Sequence, residues 1–141
     1  PILDVKYYVL LPTVDLVGSG LDNYQWTTLL RAMSAQRAFH WAYGGDVTAA
    51  KIAHFLILNR ACPRSLLHCL SQTETHLERL SRAYGHRTAA HDRLRGLYAE
   101  LSEAEVDDVI REGLHEFLTR FIHQNSALGQ DVAVGYLSGG L

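Results

Sequence analysis

The sequence contains little of what a disulfide-stabilised or membrane-spanning protein needs. It has only two cysteines, Cys62 and Cys69. If both lie along one helix, they are about 10 Å apart along its axis, which is too far for a disulfide. Two thiols without a disulfide pattern favour a reducing compartment, so we expect a cytoplasmic protein. No apolar run approaches the roughly 20 residues of a membrane span, and we expect no membrane partner.

The sequence also has no excess of positively charged residues. Lysine and arginine total 13 against 15 acidic residues, which gives a formal net charge of −2. This balance argues against nucleic acid as a main partner. The apolar content of 48% over 141 residues suffices for one core and is too small for two ordinary domains. We therefore expect residues 1–141 to form a single helical domain.

No stretch of the sequence has the pattern of a β-strand. Glycine, proline and capping residues instead separate apolar stretches with helical spacing. The segment IAHFLIL, residues 52–58, is apolar on nearly every side, which predicts a central helix. Pro63 is predicted to be the first residue of a long helix that ends at Gly85. The fold class is therefore predicted as all-α, an antiparallel bundle of about five or six helices.

Three further helix boundaries follow from capping residues. Asp22 or Asn23 is expected to cap a helix that ends at the glycine pair 44–45. Thr88 opens another helix. Ser102 with Glu105 has the form of a capping box, and the helix it opens is expected to extend as far as residue 137.

Two arginines flank the predicted helix start at Pro63. Arg60 and Arg64 lie where the helix dipole disfavours cations. Together with the Ser65 hydroxyl and the backbone N–H groups of residues 64–66, they could bind a carboxylate or a phosphate, so Arg60, Arg64 and Ser65 form a candidate anion site. The structural alternative is that the arginines pair with acids of another helix or bind the terminal carbonyls of the preceding helix.

A second candidate surface combines Asp22, Tyr24 and Gln25 with His115 and Glu116. The first three open a predicted helix, and a helix cap followed by a core tryptophan would explain them equally. His115 and Glu116 lie on a helix that carries core residues, where one of them could make a buried polar contact. All five therefore have a structural alternative.

No metal or catalytic arrangement is recognisable among the eight histidines and two cysteines. His115-Glu116 would need a histidine at position 119 for the zinc-protease motif, and position 119 is threonine. Cys69 and His76 are about two helical turns apart, too far to hold one ion. Cys69 is expected to be a small buried apolar residue. We predict no metal, no cofactor and no catalytic residue.

Four segments occur in this order: ILDVKYYVLLP, LDNYQWTTLLRAMSA, FLILNRACPRSLLHCL and GLHEFL. Together they resemble the C-terminal half of the bacterial alpha-E domain family, an all-helical family of unknown biochemical activity. The resemblance extends from Ile2 to about Tyr136. It implies that the chain is the C-terminal half of a longer protein, in which an Arg-Leu-Glu-Arg-Ala type helix precedes the ILDV segment.

The resemblance also implies partners. Members of the family accompany, or are fused to, circularly permuted ATP-grasp proteins and transglutaminase-like proteins. We therefore expect a non-catalytic helical binding or scaffold module in a bacterial peptide-ligation or peptide-modification system, with a peptide as a further ligand. The alternative is half of an enzyme of the same pathway, whose active site the N-terminal half completes.

The beginning of the chain carries one more expectation. Because the sequence starts inside what is predicted to be a helix, an apolar surface that includes Ile2, Val5, Tyr8 or Val9 is expected to be exposed. Such a surface favours self-association, so a homo-oligomer through this face is expected.

Overall fold

The computed structural model describes residues 20–139, and in this range the chain is all-α, as predicted. The expected apolar surface at Ile2, Val5, Tyr8 and Val9 lies outside the described residues. Seven α-helices and two π-helical turns follow one another, with no strand between residues 20 and 139. The helices are α1 Gly20–Ala32, α2 Gln36–Tyr43, α3 Ala49–Ala53, α4 Leu66–Tyr84, α5 Ala89–Glu103, α6 Val106–Glu112 and α7 Leu114–Val132, and the π-helical turns are His54–Leu58 and Ala133–Leu137.

The helix predicted to end at the glycine pair is divided into α1 and α2. It breaks at Ser34, which adopts a left-handed conformation with φ of 54°. The N–H of Ala35 donates to the Leu30 carbonyl over 2.8 Å, the six-residue closure of a Schellman motif. The prediction of Asp22 or Asn23 as the cap is wrong, because α1 already begins at Gly20 and both residues lie inside it.

The last predicted helix is divided as well. Gly113, with φ of 100°, separates α6 from α7. The cap of α6 is Glu105, whose side chain and that of Asp108 bond each other's backbone N–H groups. The Ser102 side chain instead donates to the carbonyl of Ala99 inside α5. The predicted Ser102 capping box is therefore wrong, whereas Thr88 does cap α5.

The first π-helical turn lies at the centre of the core, as predicted for residues 52–58. In this turn the N–H of Asn59 donates over 2.8 Å to the carbonyl of His54, five residues earlier, whereas in an α-helix the acceptor lies four residues earlier. Four consecutive side chains of this turn are buried, which an ordinary α-helix on a surface would not allow. They are Phe55, Leu56, Ile57 and Leu58.

The helix α5 packs against both α4 and α7. The imidazole of His91 is buried where α5 begins and bonds the Leu77 carbonyl of α4. Arg93 of α5 pairs with Asp131 of α7 over 2.6 Å. Both α4 and α7 are thus attached to α5, and a groove lies between α4 and α7.

Arg120 joins three helices near the surface. From α7 it donates to both carboxylate oxygens of Glu112 on α6, each over 2.9 Å, and also to Glu100 of α5. Its guanidinium lies 5.3 Å from the centre of the Phe117 ring. The hydrogen bonds from Arg120 lower the pKa of Glu112 below its ordinary value of 4.5.

We expect the Glu112 ion pair to stabilise the fold above the ordinary pKa of Glu112 and to lose this effect as the pH falls through the lowered pKa. The folded state holds the proton less tightly than the unfolded chain does, so acid favours unfolding. Both side chains are more than a third exposed, which limits the contribution to about 1 kcal/mol or less. Glu112→Gln should lower the free energy of unfolding at about pH 7 and change it less towards about pH 3.

Chemical denaturation at both pH values measures this difference. Glu74→Gln is the control, because Glu74 is exposed and makes no ion pair with any residue between 20 and 139. It should show no comparable dependence on pH. A loss for Glu112→Gln that is equally large in acid would show that the ion pair is not its source.

Candidate functional site

Residues 59–65, the loop between the first π-helical turn and α4, contain the candidate anion site. Pro63 and Arg64 form the middle of a β-turn in which the N–H of Ser65 donates to the Cys62 carbonyl over 3.0 Å. Proline suits this turn position as well as a helix start, because both require φ near −65°. The prediction of Pro63 as the first helical residue is therefore wrong, and α4 begins after the turn.

Ser65 is the N-cap of α4, and its side chain is 0% exposed. Its hydroxyl donates to the Asn59 carbonyl over 2.5 Å and accepts the N–H of His68 over 3.1 Å. The side-chain oxygen of Asn59 accepts two further N–H groups of the loop, from Ala61 and Cys62. The hydroxyl of Ser65 is thus used within the loop, and the predicted anion site depends on its two arginines.

The two arginines have different surroundings. Arg60 reaches the end of α5, where its guanidinium donates to the Tyr98 hydroxyl and to the Ser102 carbonyl, both over 3.3 Å. Arg60 thereby binds one terminal carbonyl, which belongs to α5, whereas the structural alternative supposed the carbonyls of the preceding helix. Arg64 is exposed and pairs with no acceptor among residues 20–139.

Ser65→Ala is expected to lower the free energy of unfolding by about 1–3 kcal/mol, because it removes a helix cap and leaves the Asn59 carbonyl without its donor. Arg64→Glu is the comparison in the same loop and should change stability by about 0.5 kcal/mol or less, as exposed substitutions do. Urea denaturation of both variants provides the measurement. Equal losses would show that Ser65 does not hold this loop in solution.

A polar cluster at the C-terminal end of α2 contacts the same loop. The hydroxyl of Tyr43 lies 2.5 Å from Nδ1 of His54, and the Asn59 amide donates to that hydroxyl over 3.0 Å. Burial is the main reason that the pKa of Tyr43 is raised, with a smaller contribution from the nearby Cys62 thiol. With its raised pKa, the phenol keeps its proton at neutral pH. This cluster ties α2 to the loop.

The residues of the second candidate surface lie on α1 and α7. On α1, Asp22 is buried, Gln25 is half-buried and Tyr24 is 64% exposed. On α7, His115 is half-buried, whereas Glu116 is exposed in the first turn, where the helix dipole favours an acid. Of these five side chains, Tyr24 offers the largest accessible apolar area.

The groove between α4 and α7 was not predicted. It encloses about 380 Å³. The lining residues comprise five apolar side chains, Leu66, Leu70, Leu118, Phe121 and Ile122, and four neutral polar or thiol side chains, Cys69, Thr73, Asn125 and Ser126. Its volume lies near the lower end of the range of roughly 300–1,000 Å³ that is typical of ligand sites.

The sequence contains part of the signal for this groove. Leu66, Leu70 and Thr73 follow one another on the predicted apolar stripe of α4, and Phe121 with Ile122 continues the stripe of α7. Helical spacing shows that these side chains share a face, but it does not show whether two such faces touch or leave a space. The separation of α4 from α7 depends on α5, which packs against both.

The cysteines also differ from the prediction. Cys69 is exposed and lines the groove, and it is Cys62 that is buried. Both thiols are free. The prediction of a buried Cys69 followed from the usual burial of free cysteine, and it is wrong. On α4 the neighbouring Leu70 is buried and Cys69 is exposed.

Metal ligation and membrane insertion each need features that the described part of the chain lacks. There, no group of three or more histidine, cysteine, aspartate or glutamate side chains could hold a metal ion. None of the helices between residues 20 and 139 has the length and apolarity needed to cross a membrane.

Comparison with known proteins gives one match. The family model Alpha-E, described as a predicted alpha-helical domain with a conserved ER motif, matches residues 1–137. No curated protein and no solved structure matches the chain significantly.

Proposed function

This chain belongs to the Alpha-E family, and we propose that it is a non-catalytic helical binding or scaffold module of a bacterial peptide-ligation or peptide-modification system. In this proposal it acts in the cytoplasm beside an ATP-grasp protein and a transglutaminase-like protein, and it holds a peptide or a segment of a partner. The reaction itself is carried out by the partners.

The observation that supports a binding role is the groove between α4 and α7. An accessible apolar concavity of about 380 Å³ on a helical protein is a feature of proteins that hold ligands or partner segments. The groove is formed by long helices that are fixed to α5 by packing, by the His91 hydrogen bond and by the Arg93–Asp131 ion pair. A rigid groove of this kind binds without a large ordering cost.

Side chains that could have supported a catalytic role have structural tasks. Ser65 caps α4 and closes the loop, and Arg60 binds the end of α5. The Tyr43 phenol is hydrogen-bonded to His54 and accepts the Asn59 amide. These contacts favour a binding module over an enzyme.

Co-purification tests the proposal. The full-length protein is expressed with an ATP-grasp protein encoded beside it in the same bacterial genome, and one of the two carries an affinity tag. We expect both proteins to be recovered together at a fixed ratio, and we expect recovery to depend on ATP. Recovery of the tagged protein alone, with and without ATP, would contradict the proposal.

The chain offers a matched pair of variants for this experiment. Thr73 lines the groove, whereas Thr75 is exposed on α4 outside it. Both hydroxyls donate to the carbonyl four residues earlier, so the two threonines have the same local role. Thr73→Trp should fill the groove and reduce co-purification, and Thr75→Trp should leave it unchanged.

A further inference from the structure

The groove between α4 and α7 lacks charged side chains. None of its nine lining residues is an aspartate, glutamate, lysine, arginine or histidine. A charged ligand would lose hydration there without gaining an opposite charge, which is unfavourable. The groove is therefore suited to an uncharged, apolar ligand group.

The polar groups at the edge of the groove specify the ligand further. Asn125 and Ser126 are exposed, and their side chains have no hydrogen-bond partner among residues 20–139. A carboxamide offers one acceptor and two N–H donors, which matches the C=O and N–H of a peptide unit. On the opposite side, the Thr73 hydroxyl already donates to the Cys69 carbonyl, so its oxygen remains as an acceptor.

Apolar walls beneath a neutral polar edge suit one large aliphatic or aromatic side chain with peptide units on either side. Leu70, Leu118 and Phe121 form the buried part of the wall, and Leu66 and Ile122 are half-buried nearer the edge. Placing a leucine-sized group against such a wall raises affinity by about tenfold.

We propose that this groove binds one apolar side chain of an uncharged peptide segment of the partner, with Asn125 bonding the adjacent peptide unit. The inference depends on the proposed function for the source of the peptide. The chemistry of the ligand, an apolar side chain next to an uncharged amide, follows from the groove alone.

Cys69 provides a reporter within the groove. It is exposed and lines the groove, whereas the other cysteine, Cys62, is buried. In disulfide exchange, the Cys69 thiolate attacks a probe disulfide, forms a mixed disulfide and releases cysteamine as a thiol. The mixed disulfide is then treated with increasing concentrations of a reductant. The concentration needed to release the attached group measures how well that group fits the groove.

Three probes of equal reactivity test the proposal on the full chain. Each is a mixed disulfide between cysteamine, the leaving group, and a second cysteamine acylated with N-acetyl-leucine, with succinate or with glycine, so that the attached group presents an apolar amide, an anion or a cation. We expect the leucine adduct to withstand about tenfold more reductant than the charged adducts. Mass mapping of the digested protein should place the adduct on Cys69.

Variants of the groove show whether a preference among the probes arises from the fit of the attached group or only from the exposure of the Cys69 thiol. Thr73→Trp should abolish the preference for the leucine probe, and Thr75→Trp should retain it. If Thr73→Trp does not fold, Asn125→Ala, at an exposed position, should still reduce the preference several-fold. Equal capture of the three probes, a preference for a charged probe, or a preference that both Thr73→Trp and Asn125→Ala leave unchanged would overturn the inference.

The two proposals fail in different ways. A selective groove in a protein that does not co-purify with the ATP-grasp protein would contradict the proposed function and leave the inferred ligand standing. Co-purification that persists in Thr73→Trp, together with equal capture of all three probes, would contradict the groove inference alone.

Discussion

Replacing Phe55 by alanine is expected to lower the free energy of unfolding by about 3–5 kcal/mol, as truncation of buried aromatic residues does. Phe55 is only 2% exposed and lies on the central π-helical turn. Its ring meets those of Phe39 and Tyr43 edge-on, with centres 5.5 and 5.6 Å apart. Since Phe39 also stacks on Tyr43, removal of one ring leaves a cavity beside the other two.

Urea denaturation of three variants measures this effect. Phe55→Leu retains most of the volume and should cost less than about 1.5 kcal/mol. The second π-helical turn supplies a matched control, because Val134 is 74% exposed there. Val134→Ala should change stability by about 0.5 kcal/mol or less. A loss below about 1 kcal/mol for Phe55→Ala would show that this ring is not part of the core.

The helical architecture and its centre could be predicted from the sequence, because both follow from local apolar spacing. Residues 52–58 are apolar on nearly every side and are indeed central. The breaks were harder to predict. Ser34 adopts a left-handed conformation that glycine usually takes, and composition gives no sign of it. The break at Gly113 falls inside the helix that was expected to extend as far as residue 137.

A competing cap accompanies the wrong boundary at Ser102. Glu105 and Asp108 form one capping arrangement, and Ser102 with Glu105 would have formed another that overlaps it. The guanidinium of Arg60 donates to the Ser102 carbonyl from a loop 42 residues away, at the end of α5. A local pattern of residues 102–105 contains no information about such a distant contact.

The candidate anion site and the groove also depend on contacts that a local sequence pattern does not contain. Arg60 and Arg64 flank a predicted helix start, yet the hydrogen bonds of Ser65 and Arg60 join parts of the fold to each other. The groove depends on how far α5 holds α4 from α7, which is a property of three helices together. A pattern on one helix shows an apolar face, whereas only packing shows whether that face is covered.

His91→Ala is expected to lower the free energy of unfolding by about 2–4 kcal/mol, through a cavity and the loss of two hydrogen bonds. The imidazole is 4% exposed and lies in the first turn of α5. Its Nδ1 accepts the N–H of Thr88 over 3.2 Å, which leaves the proton on Nε2 to be donated to the Leu77 carbonyl of α4 over 3.1 Å. One side chain thereby caps α5 and attaches it to α4.

Two conservative variants separate these roles. His91→Asn places an amide oxygen near Nδ1 and should keep the bond to Thr88, whereas His91→Gln places an N–H donor near Nε2 and should keep the bond to Leu77. Each should lose less stability than His91→Ala. Hydrogen exchange should show faster opening at the start of α5 in His91→Gln than in His91→Asn, because only the glutamine variant loses the cap. If the alanine variant is as stable as the wild type, or if the two conservative variants exchange alike at Thr88, then His91 does not hold α5 in the way described.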